Sequence, residues 1–172
     1  SPKSGLRAYL AVQQGFQVAS TLGSSATVVR ESMGGLDGEG GKLKAGERIP
    51  YTTSDCREIN TAPEWVVPDY EQPLTLGVVT GYQYQDFDRH AVMTFFSEAY
   101  KVTNNIDRMG YRLSGKAIPS QGGIVSEGIA FGAIQIPQDG QPIILLKDRQ
   151  TIGGYPKLGC ITSLGASQLV QR

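Results

Sequence analysis

The sequence predicts an all-β fold, rich in short strands and carrying one or two short helices. Three observations support this. The 172 residues include 22 glycines and 9 prolines spaced at short intervals, and such punctuation marks frequent turns. Between them lie short β-branched and apolar runs, the pattern of many brief strands. One-sided helical spacing stands out after Asp88, with a second short helix expected at the C-terminal end.

The elements follow in order. Leu6–Val12 alternates, with Ala8, Leu10 and Val12 on one face, and reads as a strand. A glycine-rich loop from Gly34 to Gly41 leads into Leu43–Ile49. Asn60–Pro73 holds Pro63, Pro68 and Pro73 around Trp65, the single tryptophan, and reads as a linker with its boundary near Gln72. Residues 1–71 are thus expected to form a partial N-terminal β subdomain with a proline-rich linker, and residues 72–172 a second domain. In that domain Leu74–Thr80 is a strand. Asp88 caps a helix whose apolar positions are Ala91, Val92, Phe95, Phe96 and Tyr100. Lys101–Thr103 returns to strand. Ala133–Ile136 and Ile143–Leu146 flank the turn Pro137–Gln141, in which Gly140 can take a positive φ. Leu158–Thr162 is a further strand and Ser163–Arg172 a terminal helix. These strands suffice to close a small barrel.

Composition narrows the function. Sixteen Lys plus Arg balance sixteen Asp plus Glu, which argues against a nucleic-acid binder needing a basic surface. No run approaches the ~18 apolar residues of a membrane span. Cys56 and Cys160 lack the paired spacing of a structural zinc site and read as reduced thiols of a cytoplasmic protein. The loop Gly34–Leu43 fails as a phosphate loop: Leu36 stands at a required glycine, Leu43 replaces the hydroxyl after Lys42, and Asp37 and Glu39 would repel phosphate. His90 is the single histidine. Falling with Thr94 and Ser97 away from the apolar stripe, it reads as a surface residue. A histidine-triad hydrolase and a multi-histidine metal site are excluded for this chain alone.

The chemistry concentrates in two corners. Asp148-Arg149-Gln150-Thr151-Ile152-Gly153-Gly154-Tyr155-Pro156-Lys157 follows the buried run Pro142–Leu146, and Asp107-Arg108-Met109-Gly110-Tyr111-Arg112-Leu113 repeats its residue types. Arg108, Arg112, Arg149 and Lys157 offer donors to an anion, and the forked guanidinium suits carboxylates. Tyr111 and Tyr155 add phenols, Gln135 and Gln150 add amides, and Asp148 completes the set. In Ser126-Glu127-Gly128, Glu127 is the candidate base. With Arg149 and Lys157 beside it, it could remove a proton while the donors stabilise an oxyanion. A structural reading stands alongside. Asp107 with Arg108, or Asp148 with Arg149, would pin strand ends, and Glu127 would pair with one of the arginines.

These segments, with Gly132-Ala133-Ile134-Gln135-Ile136-Pro137 and Asp139-Gly140-Gln141-Pro142, resemble the allophanate hydrolase subunit 2 family. That family includes the KipA-like proteins, the C subunit of bacterial 5-oxoprolinase and half of the carboxyltransferase domain of urea carboxylase. The early segment Gly5–Val12, Leu22-Gly23-Ser24 and Gly34-Gly35-Leu36 match it as well. Ile106 stands where serine is usual, Ile152 replaces a second threonine, and Gln13-Gln14 replaces a smaller pair. The usual N-terminal segment with its Thr-Val-Gln-Asp motif does not appear, so the chain resembles a C-terminal fragment. The resemblance implies a cyclophilin-like β-barrel over residues 72–172 and a partner, the KipI-like subunit 1 protein, with the active site between subunits. It implies part of an ATP-dependent 5-oxoprolinase that hydrolyses 5-oxo-L-proline to L-glutamate. The alternatives are a biotin-dependent carboxyltransferase acting on urea and a non-catalytic module that binds a KipI-like protein. ATP or carboxybiotin would be handled elsewhere in the assembly, with no cofactor held by this chain.

Overall fold

The computed structural model describes residues 4–53 and 60–172, so the expectation for Cys56 lies outside the described residues. Among the described residues there are eight strands and two α-helices: β1 (Val78–Thr80), β2 (Lys101–Ile106), β3 (Gly110–Ser114), β4 (Glu127–Gly128), β5 (Ala133–Gln135), β6 (Ile143–Leu145), β7 (Ile152–Gly153), β8 (Lys157–Ile161), α1 (Arg89–Ser97) and α2 (Ser163–Leu169). The β-rich class read from the sequence is the observed one. Residues 4–7 and 68–172 form one compact unit and Ala8–Val67 another.

The larger unit is built on a six-stranded sheet in the order β1-β8-β5-β6-β3-β2, all neighbours antiparallel, with β4 and β7 paired separately. Alternation along each strand sends one residue from every member of the sheet to a shared interior. Val78, Ile161, Ile134, Ile144, Leu113 and Val102 meet in a single cluster, as in a sheet curled on itself. Ile134, Ile144 and Leu158 are almost wholly enclosed, and each contributes about 1.5–3 kcal/mol by leaving water.

The helices close this interior. Asp88 accepts the Ala91 amide at 2.7 Å and starts α1, while Ala91, Val92 and Phe95 turn to the core. Thr94, expected on the solvent face, is instead buried, and His90 is exposed. Thr162 caps α2 through Gly165 N at 3.1 Å. The β5–β6 hairpin turns where expected: Gly140 has φ 72° and donates to Pro137 O at 2.9 Å. A side chain there would run into the backbone of Ile118, 2.8 Å from the Cβ position, so this turn requires glycine.

One expected strand is absent. Among the described residues Leu6–Val12 has no ladder partner, and Tyr9 and Leu10 are exposed. Its backbone-to-backbone hydrogen bonds among the described residues run from Leu6 N to Gln171 O and, in a turn, from Gly15 N to Val12 O. Leu74–Thr80 is strand only from Val78; Leu74 and Leu76 pack on the core without pairing. In the smaller unit the described β-pairing consists of isolated bridges such as Phe16 with Tyr51. Its glycine loop wraps Asp37, which accepts from Glu39 N and Gly41 N and is thereby held below the usual carboxylate range.

Candidate functional site

The two polar corners meet across β3 and β6. Leu146 N donates to Met109 O at 2.8 Å and Asp148 N to Arg108 O at 2.9 Å. Their charges then pair crosswise. Arg108 grips Asp148 with two hydrogen bonds, at 2.6 and 3.0 Å. This fork holds the Asp148 carboxyl below its usual range. Asp107 meanwhile accepts from Met109 N and Gly110 N, closing the β2–β3 turn. The in-sequence pairs entertained for these residues are therefore replaced by a tie between corners. Arg149 faces elsewhere, donating to Ile129 O and Leu146 O and lying over the Phe131 ring.

The outer face of the sheet carries a polar row. Arg112 on β3 lies opposite Ile143 on β6, Ile143 opposite Gln135 on β5, and Gln135 opposite Lys157 on β8. Cross-strand partners share a face, so these four residues line up at about 4.8 Å per strand. A cavity of about 540 Å³ opens over the Arg112, Ile143 and Gln135 part of this row. Its walls include Asn104, Asn105, Arg112, Gln135, Gln150 and Tyr155. Four side-chain amides, a phenol and a guanidinium thus converge. Asp107 also lines this cavity, with one carboxylate oxygen already held by two backbone donors.

Gln135 is 5% exposed and its Nε2 has no hydrogen-bond partner among the described residues. Such a donor costs about 1–3 kcal/mol when left unmade. Gly153 makes room for it, since a Cβ there would sit 3.0 Å from this nitrogen.

Beyond Gln135 the row ends in a charged cluster. Lys157 is 9% exposed, and its Nζ lies 2.5 Å from Glu127 Oε1 and 3.4 Å from Tyr155 O. The Tyr82 hydroxyl donates to Glu127 Oε2. Gln83 Oε1 accepts the Lys157 amide at 2.8 Å, fixing this end of β8. Lys157 first, then Tyr82, holds the Glu127 carboxyl below its usual range, against the effect of burial. The partner of Glu127 is thus a lysine rather than one of the arginines. Paired in this way, Glu127 is an ionised orienting group, and drawing the ammonium away would restore its basicity.

Folding lowers this carboxyl's pKa, so its stabilising effect is complete above the unfolded value of about 4.3. That effect is lost as pH falls through the lowered folded value. The stability difference between wild type and Glu127→Gln is therefore expected to shrink in acid denaturation series run from neutral pH downward. A difference that stays constant would contradict the ion pair.

The expected site residues divide by position. Arg112, Gln135, Gln150 and Tyr155 line the cavity; Glu127 and Lys157 flank its Gln135 end; Arg108 and Asp148 brace the corner. Tyr111 lies apart, fully buried on the core face with its hydroxyl bonded to Arg7 and Val170 O. Tyr82, Gln83, Asn104 and Asn105 escaped the sequence reading. The two asparagines sit where the β2–β3 register shifts, and a polar pair inside a strand was the available signal. A larger hollow, about 750 Å³, is walled mainly by apolar core residues such as Leu113, Ile134 and Ile161 and lacks such a set of amides. Burial pushes the half-buried Cys160 thiol up. Among the described residues no group of three or more His, Cys, Asp or Glu gathers for a metal, and no helix is long and apolar enough to cross a membrane.

An antiparallel sheet with an amide-rich cavity on one face is the frame of a small-molecule site. The chain belongs to the family "Carboxyltransferase domain, subdomain A and B", which matches residues 1–172. It is 34% identical over 174 residues to the C subunit of 5-oxoprolinase from Escherichia coli (strain K12), covering 99% of this chain and 54% of that protein. Urea amidolyase of Lachancea kluyveri is 31% identical over 175 residues, covering 88% of this chain and 9% of that protein. The crystal structure of TTHA0988 superposes with a TM-score of 0.80 at 28% identity, over 98% of this chain and 32% of that one. The chain spans about half the length of the 5-oxoprolinase sequences it matches.

Proposed function

We propose that this chain is part of a 5-oxoprolinase, opening 5-oxo-L-proline to L-glutamate in an ATP-dependent assembly with a KipI-like partner. The observation that carries this reading is the cavity with four side-chain amides and Arg112, in a chain similar over its whole length to the C subunit of 5-oxoprolinase. A lactam presents an N–H and a carbonyl together, and side-chain amides complement both. Opening the ring builds negative charge on the carbonyl oxygen, and the unpartnered Gln135 amide and the Lys157 ammonium are donors suited to it. Glu127 and Lys157 are the proposed catalytic pair, while Arg149, turned to Ile129 O and Leu146 O, braces the corner behind them. Arg112, Gln135, Gln150 and Tyr155 are proposed to touch substrate, with Arg108 and Asp148 bracing the corner. The burial of Tyr111 limits it to supporting β3 from beneath.

The urea amidolyase relatives favour a second reading, carboxyl transfer to urea. The same amide donors fit the ureido group of biotin, and carboxybiotin would supply the carboxyl group when bound. Reconstitution of the full-length protein with its partner subunits and ATP separates the two. Glutamate release from 5-oxoproline is the expected result. Its absence, with bicarbonate- and biotin-dependent consumption of urea in its place, would overturn the first reading. Binding of a KipI-like partner with neither reaction would leave a regulatory module.

A further inference from the structure

We propose that Arg112 and Gln135 together read one small ligand that carries both a carboxylate and an uncharged carbonyl, the guanidinium taking the first and the amide the second. This rests on the reading of the polar cavity as the substrate site, and it adds which ends of the ligand are read and by what. The two residues share a face of the sheet with only Ile143 between them, so their backbones stand about 10 Å apart, two strand spacings. Both line the same cavity. Arg112 is exposed, and among the described residues no carboxylate pairs with its guanidinium. Gln135 is the opposite case, enclosed and with Nε2 lacking an acceptor.

That asymmetry assigns the ends. A guanidinium open to solvent meets a carboxylate with two parallel hydrogen bonds and keeps its charge satisfied when the site is empty. A buried amide donor gains most from an acceptor with no charge to desolvate. Ile143 between them supplies an apolar floor for the carbon skeleton joining the two groups. The remaining charge in the cavity, Asp107, is engaged by Met109 N and Gly110 N, and it disfavours a ligand with two carboxylates. The class selected is a monocarboxylate with a neutral carbonyl a few bonds away. Urea lacks the carboxylate and would bind without help from Arg112.

Three probes test the assignment on the full-length protein by titration calorimetry: 5-oxo-L-proline, 2-pyrrolidinone (carbonyl only) and cyclopentanecarboxylate (carboxylate only). The expected result is that 5-oxoproline binds about tenfold or more tighter than either single-function probe, the range of a charge-assisted contact. Arg112→Met removes that advantage and leaves 2-pyrrolidinone unchanged. Gln135→Met weakens both carbonyl probes and spares cyclopentanecarboxylate. Should Gln135→Met fail to fold, the Arg112 series decides alone, since that side chain is exposed. Equal affinity for 5-oxoproline and 2-pyrrolidinone, an unchanged Arg112→Met, or no binding of any probe overturns the proposal. The reaction is judged separately. The expected binding pattern without glutamate release removes the 5-oxoprolinase reading and keeps the ligand assignment. Glutamate release at unchanged KM in Arg112→Met does the reverse.

Discussion

Lys157→Met is expected to lower kcat of the reconstituted enzyme by about a hundredfold or more, the scale of losing one oxyanion donor. KM should move little, because Arg112 and Gln135 are the groups proposed to hold the ligand. The stability effects should be unequal between the two partners of the pair. The Lys157 side chain is 11% exposed and that of Glu127 30%. Glu127→Gln therefore strands a buried ammonium beside Tyr155 O and is expected to destabilise by about 2 kcal/mol, between the surface and buried limits for ion pairs. Lys157→Met leaves a carboxylate that Tyr82 and water can still serve, and it should destabilise less. The double variant should recover most of the loss. Equal, additive effects in chemical denaturation would show that the two groups do not act as a pair.

Gly159→Ala is expected to destabilise by about 1–3 kcal/mol, the usual penalty for overpacking. Gly159 lies where β8 passes under β1, and a Cβ there would strike Val79 O and approach Thr80 Cα at 3.0 Å. Both are backbone atoms of a paired strand, so relief requires β1 to move. Gly81 N also donates to Leu158 O at 3.1 Å, just before this position. The displaced segment therefore continues towards Tyr82 and the Glu127 cluster, and a fall in kcat should accompany the fall in stability. Gly128→Ala is the control. Its Cβ would meet nothing within 4 Å, so a change within about 0.5 kcal/mol is expected. Comparable losses at both glycines would contradict the close β1–β8 approach.

Much of the larger unit could be read from residue pattern because local signals agreed with burial. Asp88 and Thr162 cap helices, Gly140 makes its turn, and the apolar runs 133–136 and 143–146 form the central hairpin. Leu6–Val12 failed because alternation describes a face and says nothing about a partner edge. Tyr111 failed for a related reason. On β3 it alternates with Gly110 and Arg112 and shares its face with Leu113, and that apolar neighbour was the clue that it points inward. The corner charges were legible as a group, but their crossed pairing depends on the β3–β6 register, which sequence spacing does not encode. Tyr82 and Gln83 lie in a 3₁₀ turn that reads as an ordinary polar loop, so nothing in their pattern marks them.

The central claim is that the outer-face row from Arg112 to Lys157 receives the substrate. NMR titration of the full-length protein with 5-oxo-L-proline, following the Gln135 side-chain amide and the Arg112 guanidinium, tests it most directly. The account predicts saturable shifts at both groups, with Tyr111 and Leu113 on the core face unmoved. Shifts confined to the core face or to the apolar hollow beneath it, with Gln135 silent, would contradict it.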